Sequence, residues 1–273
     1  LDQALLNRAL GSLKSTTVKL GDGADSLTVA AGEAEDADGK TEFSSINMGG
    51  GNDTLKLQSV KGTDVDLGSG NNVLEVSEAA TSLTVKSGAG NDSVTIAEMA
   101  NSTVNLGDGN NVVDINATTA ALGEGAAIVA GKGADKVTLT GAVQGTAGEE
   151  SVINLGEGSN SLTVVGAVSN TAITTGAGAD KITIDGVVSG GSLDAGAGNN
   201  VIAVSGGLSD NAVLTTGKGA DKISIGGTVQ QAIINTGDGN DSLALDTVTT
   251  STVTLGLGKD TVTINNLGDN SRL

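Results

Sequence analysis

The chain has no cysteine, histidine, proline, tryptophan or tyrosine, and one phenylalanine, Phe43, among 273 residues. Each absence removes a class of explanation. Without cysteine there are no disulfides, thiolate metal sites or cysteine nucleophiles. Without histidine the commonest general base and zinc ligand are gone. Aromatic side chains normally anchor a globular core; here Val, Ile, Leu and Ala must fill it, which favours thin, stacked aliphatic layers. Proline would remove a ladder hydrogen bond from every layer of a sheet, so its absence suits a chain that is mostly strand. No apolar run is long enough to span a bilayer, and membrane insertion is not expected. Basic residues are scarce too. The 14 Lys and Arg face 32 Asp and Glu, a formal charge of −18, so nucleic acid and anionic membranes are poor partners and cations the natural counter-charge. The sequence starts at Leu1 with no signal peptide, as a processed product or an excised piece of a longer protein would.

What the chain does contain is 43 glycines, many of them in step. Gly-x-Gly recurs in register in twelve coils, with first glycines at 21, 49, 68, 88, 107, 131, 156, 176, 196, 217, 237 and 256, and eight of the eleven spacings are 19 to 21 residues. Three columns accompany the motif, at three residues before the first glycine and at six and eight after it. All thirty-six positions are aliphatic, as in Val104, Val113 and Ile115, or Ile128, Val137 and Leu139. A disordered, glycine-rich acidic chain has no reason to place apolar residues at fixed offsets. The last two columns flank a polar or small residue, which is the period-two mark of a strand with one buried face. Self-similarity at this period predicts a solenoid.

The expected fold is therefore all-β: a parallel β-solenoid, β-helix or β-roll-like, of about twelve coils of about twenty residues, forming one domain over residues 15–273. Each coil should run strand, glycine corner, second strand and a looser return that often carries another apolar residue, such as Val60, Met99, Val168 or Val229. At about 4.8 Å per layer the rod should be on the order of 55 Å long. Three longer spacings place loops outside the rod at about 30–43, 116–127 and 140–151. Leu5, Leu6, Ala9, Leu10 and Leu13 recur at helical spacing, which predicts an amphipathic helix over residues 1–14 that caps the first coil's open edge.

Four residues after the first glycine stands Asp or Asn in every coil, and from Asp53 to Asp221 the two alternate strictly. Two carboxylates one layer apart would repel by roughly 3.5 kcal/mol at an effective dielectric near 20, and skipping a layer halves this to about 1.7 before salt screening. Alternation relieves that repulsion without a metal. The Asp and Asn side chains can also cap corner N–H groups and stack as a hydrogen-bonded ladder.

Segments such as GGGNDTLKL, GAGNDSVTI and GDGNDSLAL resemble the RTX family of secreted bacterial proteins, whose GGxGxDxUx nonapeptides wind a β-roll with calcium between successive corners. The likeness extends from Gly21 to Ile264, but the period is near twenty and four coils carry Asn in place of Asp. Carried over by position, it implies calcium carboxylates at Asp25, Asp53, Asp92, Asp135, Asp180, Asp221, Asp241 and Asp260, with Asp22 and Asp238 beside the first and the eleventh corner as further candidates. Oxygen donors without His or Cys favour calcium over transition metals. Calcium corners and a metal-free ladder both remain open at this level.

For function, no corner carries the Gly-Lys-Ser/Thr ending of a phosphate loop. Paired carboxylates for glycoside chemistry would lack the aromatic and basic side chains such sites draw on. Outward threonines such as Thr28, Thr95 and Thr138 are interrupted by Lys56, Glu75 and Asp114, which spoils a flat ice-binding face. The expectation is a non-enzymatic, calcium-stabilised structural rod, extracellular or on a bacterial cell surface. It would serve as an adhesin stalk, surface layer, biofilm matrix or filament subunit that self-associates into fibres or a lattice. The alternative is a calcium-binding module of a secreted enzyme or toxin.

Overall fold

The computed structural model describes residues 17–29 and 45–273, with the backbone of Arg8–Ala9 and Thr41–Glu42. The chain winds as a parallel β-solenoid. Strands that precede the glycine corners, from Thr17–Lys19 to Thr252–Thr254, form a twelve-stranded parallel sheet, so twelve rungs are joined by eleven full turns. Strands that follow the corners, from Ser26–Val29 to Thr261–Leu267, form a second sheet that also takes in the return segments.

The apolar columns set the register. Val104 lies beside Ile128, Val113 beside Val137, and Ile115 beside Leu139, so equivalent side chains stack from rung to rung. Of the thirty-six column positions, thirty-three are buried; Val18, Val262 and Ile264, in the first and last coils, are only partly covered. One layer, formed by Val104, Leu106, Val113, Ile115 and Leu122, is at most 1% exposed at each residue. Each such side chain contributes about 1.5–3 kcal/mol by its burial. Alternate residues point outward because a strand's side chains alternate between its two faces.

The return is more regular than the sequence suggests. Val60, Ala80, Met99, Leu122, Val143, Val168, Val188, Leu208, Val229 and Val248 form a further buried column. Leu122 pairs with Met99 and with Val143, and Val143 with Val168. This corrects the expected loops at 116–127 and 140–151. Ala120–Leu122 and Ala142–Gln144 are strands within the wall, because Ala121, Leu122 and Val143 have apolar surface that only the core can bury. Extra length is absorbed in turns, including Thr146–Glu149, which closes on itself through two backbone bonds of 3.0 and 3.1 Å. The expected loop at 30–43 lies outside the described residues, except that Thr41–Glu42 pairs with Val60–Lys61. The expected helix over 1–14 also lies outside them, except that Arg8–Ala9 pairs in parallel with Leu27–Thr28 at the edge of the first coil. At the other end the Val253 N–H donates to the Arg272 carbonyl (2.8 Å) and the Arg272 N–H to the Ser251 carbonyl (2.9 Å), so the final residues cross the edge of the last rung. No helix of the described residues is long and apolar enough to cross a membrane.

Candidate functional site

The glycine corners are the chemically distinctive part of each coil. At Gly109 (φ 129°) and Gly158 (φ 124°) the backbone occupies a region that favours glycine, and a Cβ would collide with the carbonyl oxygen of Gly90 or Gly133 in the coil before. Glycine is thus required by the stacking as well as by the turn. The corner is entered through a local cap: Oδ1 of Asp66, Asn105, Asn154, Asp194 and Asn235 each accepts the N–H of the glycine two residues on, at 2.9–3.2 Å.

The Asp/Asn column is a continuous ladder. From Asp25 to Asp241, each backbone N–H donates to the side-chain Oδ1 of the equivalent residue in the next coil, through Asp53, Asn72, Asp92, Asn111, Asp135, Asn160, Asp180, Asn200, Asp221, Asp241 and Asp260, at 2.7–3.1 Å. Buried N–H groups that turn away from the sheets are satisfied in this way. A second ladder, not anticipated from the sequence, runs one residue earlier on the exposed side and in the opposite sense. The N–H groups of Asn71, Asn91, Asn110 and Ala134 donate to Oδ1 of Asn52, Asn71, Asn91 and Asn110 in the preceding coil, at 2.7–2.8 Å. Its signal in the sequence was the Asn-Asp and Asn-Asn dipeptides.

Asp and Asn differ at the atom that does not join the ladder. The Nδ2 amides of Asn111, Asn160 and Asn200 donate inward to both glycine carbonyls of their own corner at 3.1–3.4 Å, and that of Asn72 donates to Gly70 at 3.1 Å. Where Asp stands, Oδ2 of Asp92 accepts the Ser87 hydroxyl (2.6 Å) and Oδ2 of Asp180 accepts the Thr175 hydroxyl (2.8 Å). Thr216, beside Asp221, instead gives its hydroxyl to the Thr236 carbonyl (2.6 Å). Oδ2 of Asp25, Asp53, Asp135, Asp221 and Asp241 is buried with no hydrogen-bond partner. Burial raises the carboxyls of Asp53, Asp135, Asp180 and Asp221 above the ordinary aspartate value, and the ladder N–H bonds offset this only in part.

The calcium expectation can be set against these donors. Eight of the ten candidate carboxylates fall in the ladder column, whereas Asp22 and Asp238 are exposed at the corner tips and do not join it. Calcium takes six to eight oxygens. A corner here offers one free carboxylate oxygen, because Oδ1 is already committed to the ladder. Glycine carbonyls at Gly68, Gly107 and Gly196 already accept N–H groups from the next coil at 2.7–2.8 Å. The buried Oδ2 atoms leave no room for water ligands, and the alternate layers present amide protons. Among the described residues no three acidic side chains gather in a metal-binding arrangement. The residues present do not form a calcium shell in this arrangement.

The chain matches no protein-family model, no curated protein and no solved structure, so its likeness to the calcium-binding repeats rests on the corner motifs alone.

Proposed function

We propose that this chain is a non-catalytic structural rod of a bacterial extracellular surface, acting as a stalk or spacer in an adhesin, a surface layer or a biofilm matrix. The observation that carries this reading is the unbroken register of twelve rungs in two parallel sheets. Every layer is tied to the next by backbone pairing and by the corner ladder, which resists bending and shear along the whole length. The outward faces carry mostly small and polar residues, with scattered exposed apolar ones such as Val73, Val201 and Ile233, and the stacked columns bury most of the aliphatic side chains. An acidic, soluble surface and a fold that needs no disulfide suit export.

Short chain pieces pair with part of each terminal coil, Arg8–Ala9 with Leu27–Thr28 at one end and Arg272 with Thr252 at the other, which narrows the strand edge open to end-to-end growth and favours a stalk over a filament. The second reading, a module of a secreted enzyme or toxin, shares the rod and differs only in what is attached to it.

The test is to place a reporter domain at one end, anchor the other, and add or remove coils. A spacer predicts that reach scales with coil number while the reporter's own activity stays constant. Activity that tracks an individual coil, with reach unchanged, would overturn the reading.

A further inference from the structure

Five corner carboxyls hold an atom that a rod does not explain. In the Asn coils Oδ1 sits in the ladder and Nδ2 donates to the glycine carbonyls of its own corner. In the Asp coils Oδ1 is fixed by the same ladder; by analogy with the Asn coils, Oδ2 would then stand where the amide nitrogen stands, an acceptor towards acceptors, and it has no hydrogen-bond partner. Two coils relieve this with a hydroxyl, from Ser87 to Asp92 and from Thr175 to Asp180. Asp25, Asp53 and Asp135 have no hydroxyl at that place, and the Thr216 and Thr236 hydroxyls near Asp221 and Asp241 are given instead to carbonyls of the next coil at 2.6 and 2.8 Å, although Asp53, Asp135, Asp221 and Asp241 are no more than 2% exposed.

We propose that three of these carboxyls, those of Asp53, Asp135 and Asp221, carry a proton on Oδ2 and donate it to the corner's glycine carbonyls, as amide mimics, so that protonation rather than calcium completes the corner.

Three features support this. Asn and a neutral carboxylic acid have nearly the same shape, each with an acceptor on one terminal atom and a donor on the other, two protons in the amide and one in the acid, which explains how the two alternate in a ladder of constant geometry. The alternation also fails at both ends. Asp25 lies one layer from Asp53, and Asp221, Asp241 and Asp260 follow in consecutive layers, where ionised carboxylates would repel. The charged groups facing these carboxyls are acidic: Asp25 towards Asp53, Asp108 towards Asp135, and Asp241 towards Asp221. Lys136 and Lys222, next in sequence to Asp135 and Asp221, are exposed on the outer face.

The sign of the linkage follows. Burial raises the folded-state values of Asp53, Asp135 and Asp221, so their contribution is complete below the ordinary aspartate value and is lost as the pH rises through the raised one. The rod should melt higher in mild acid than at pH 8. Acid also relaxes the general repulsion of a −18 chain, so the test needs a control of equal charge change.

The experiment compares the wild type, the triple variant Asp53→Asn/Asp135→Asn/Asp221→Asn, and the exposed-site control Glu98→Gln/Glu150→Gln/Glu157→Gln. Expected for the triple variant is a Tm at pH 8 raised by about 2 °C per corner and a flattened pH dependence, with the control keeping the wild-type slope. In infrared spectra at pH 6, about two units above the ordinary aspartate value, the wild type should show a protonated-carboxyl band that the triple variant loses. Calcium chloride should not raise the wild-type Tm relative to chelator. The proposal is overturned if that band is absent from the wild type, if the triple variant melts lower at pH 8, or if calcium stabilises the wild type and the triple variant loses that response. The infrared reading on the wild type stands even where the variant fails to fold, and none of these outcomes depends on the rod's biological setting.

Discussion

At the residue scale the corners carry the specificity of the fold. Asn160 serves Asp135 with its Oδ1 and Gly156, Gly158 and the Thr175 carbonyl with its Nδ2, all in buried surroundings. Asn160→Ala leaves these groups unpaired and should cost about 2–3 kcal/mol, read by urea denaturation. Gly158→Ala should cost at least about 3 kcal/mol, since it adds a clash with the Gly133 carbonyl to a strained φ. A gain is expected at the opposite corner, where the return meets the next strand. Thr250, a β-branched residue at φ 52°, is held in the left-handed region, and Thr250→Gly should raise stability by about 1 kcal/mol. A fall in stability there would mean that the Thr250 side chain supplies a compensating contact.

At the scale of the element, the return segment separates a two-walled roll from a three-sided solenoid. The apolar residues at Val60, Met99 and Val168 are visible in the sequence as a recurring theme. Their continuation through Leu122 and Val143 is hidden by the longer spacings around them. Leu122 is fully buried between Met99 and Val143, so Leu122→Ala should cost about 2–5 kcal/mol. An external loop would lose almost nothing, and thermal melting distinguishes the two. The residue just before each corner tells a similar story. Ser87 and Thr175 read as ordinary strand polar residues until the fold sets their hydroxyls on Asp92 and Asp180, five residues ahead.

At the scale of the whole molecule, stability is a sum of coil and interface terms, and coils are exchangeable within limits. Removing residues 156–195 joins Leu155 to Gly196 and brings Asn200 next to Asp135, preserving the alternation. The rod should shorten by about 10 Å with its fold intact, measurable by small-angle scattering. Removing 156–175 alone sets Asp180 next to Asp135. Because the double deletion also loses one more coil, the pH dependence is compared: from pH 8 to mild acid at low salt the single-coil deletion should gain about 2 kcal/mol more than the double one as the carboxyls protonate. An equal gain in the two deletions would show that the alternation carries no electrostatic benefit.

The amino-acid sequence by itself determined the coil: its period, its two strands, the face each presents to the core, and the register in which Val104 meets Ile128. These are properties of local periodicity, since one apolar residue in two defines a buried face and a fixed repeat defines what lies above it. Only the tertiary structure decided which atom of each Asp and Asn meets which neighbour, because the partners lie 19 to 28 residues away and a direct bond depends on the stacking offset between coils. The same limit applied to the return wall, where spacing pointed to loops and packing made strands. It applied again to the calcium motif, in which composition supplied the carboxylates and geometry had already committed one oxygen of each.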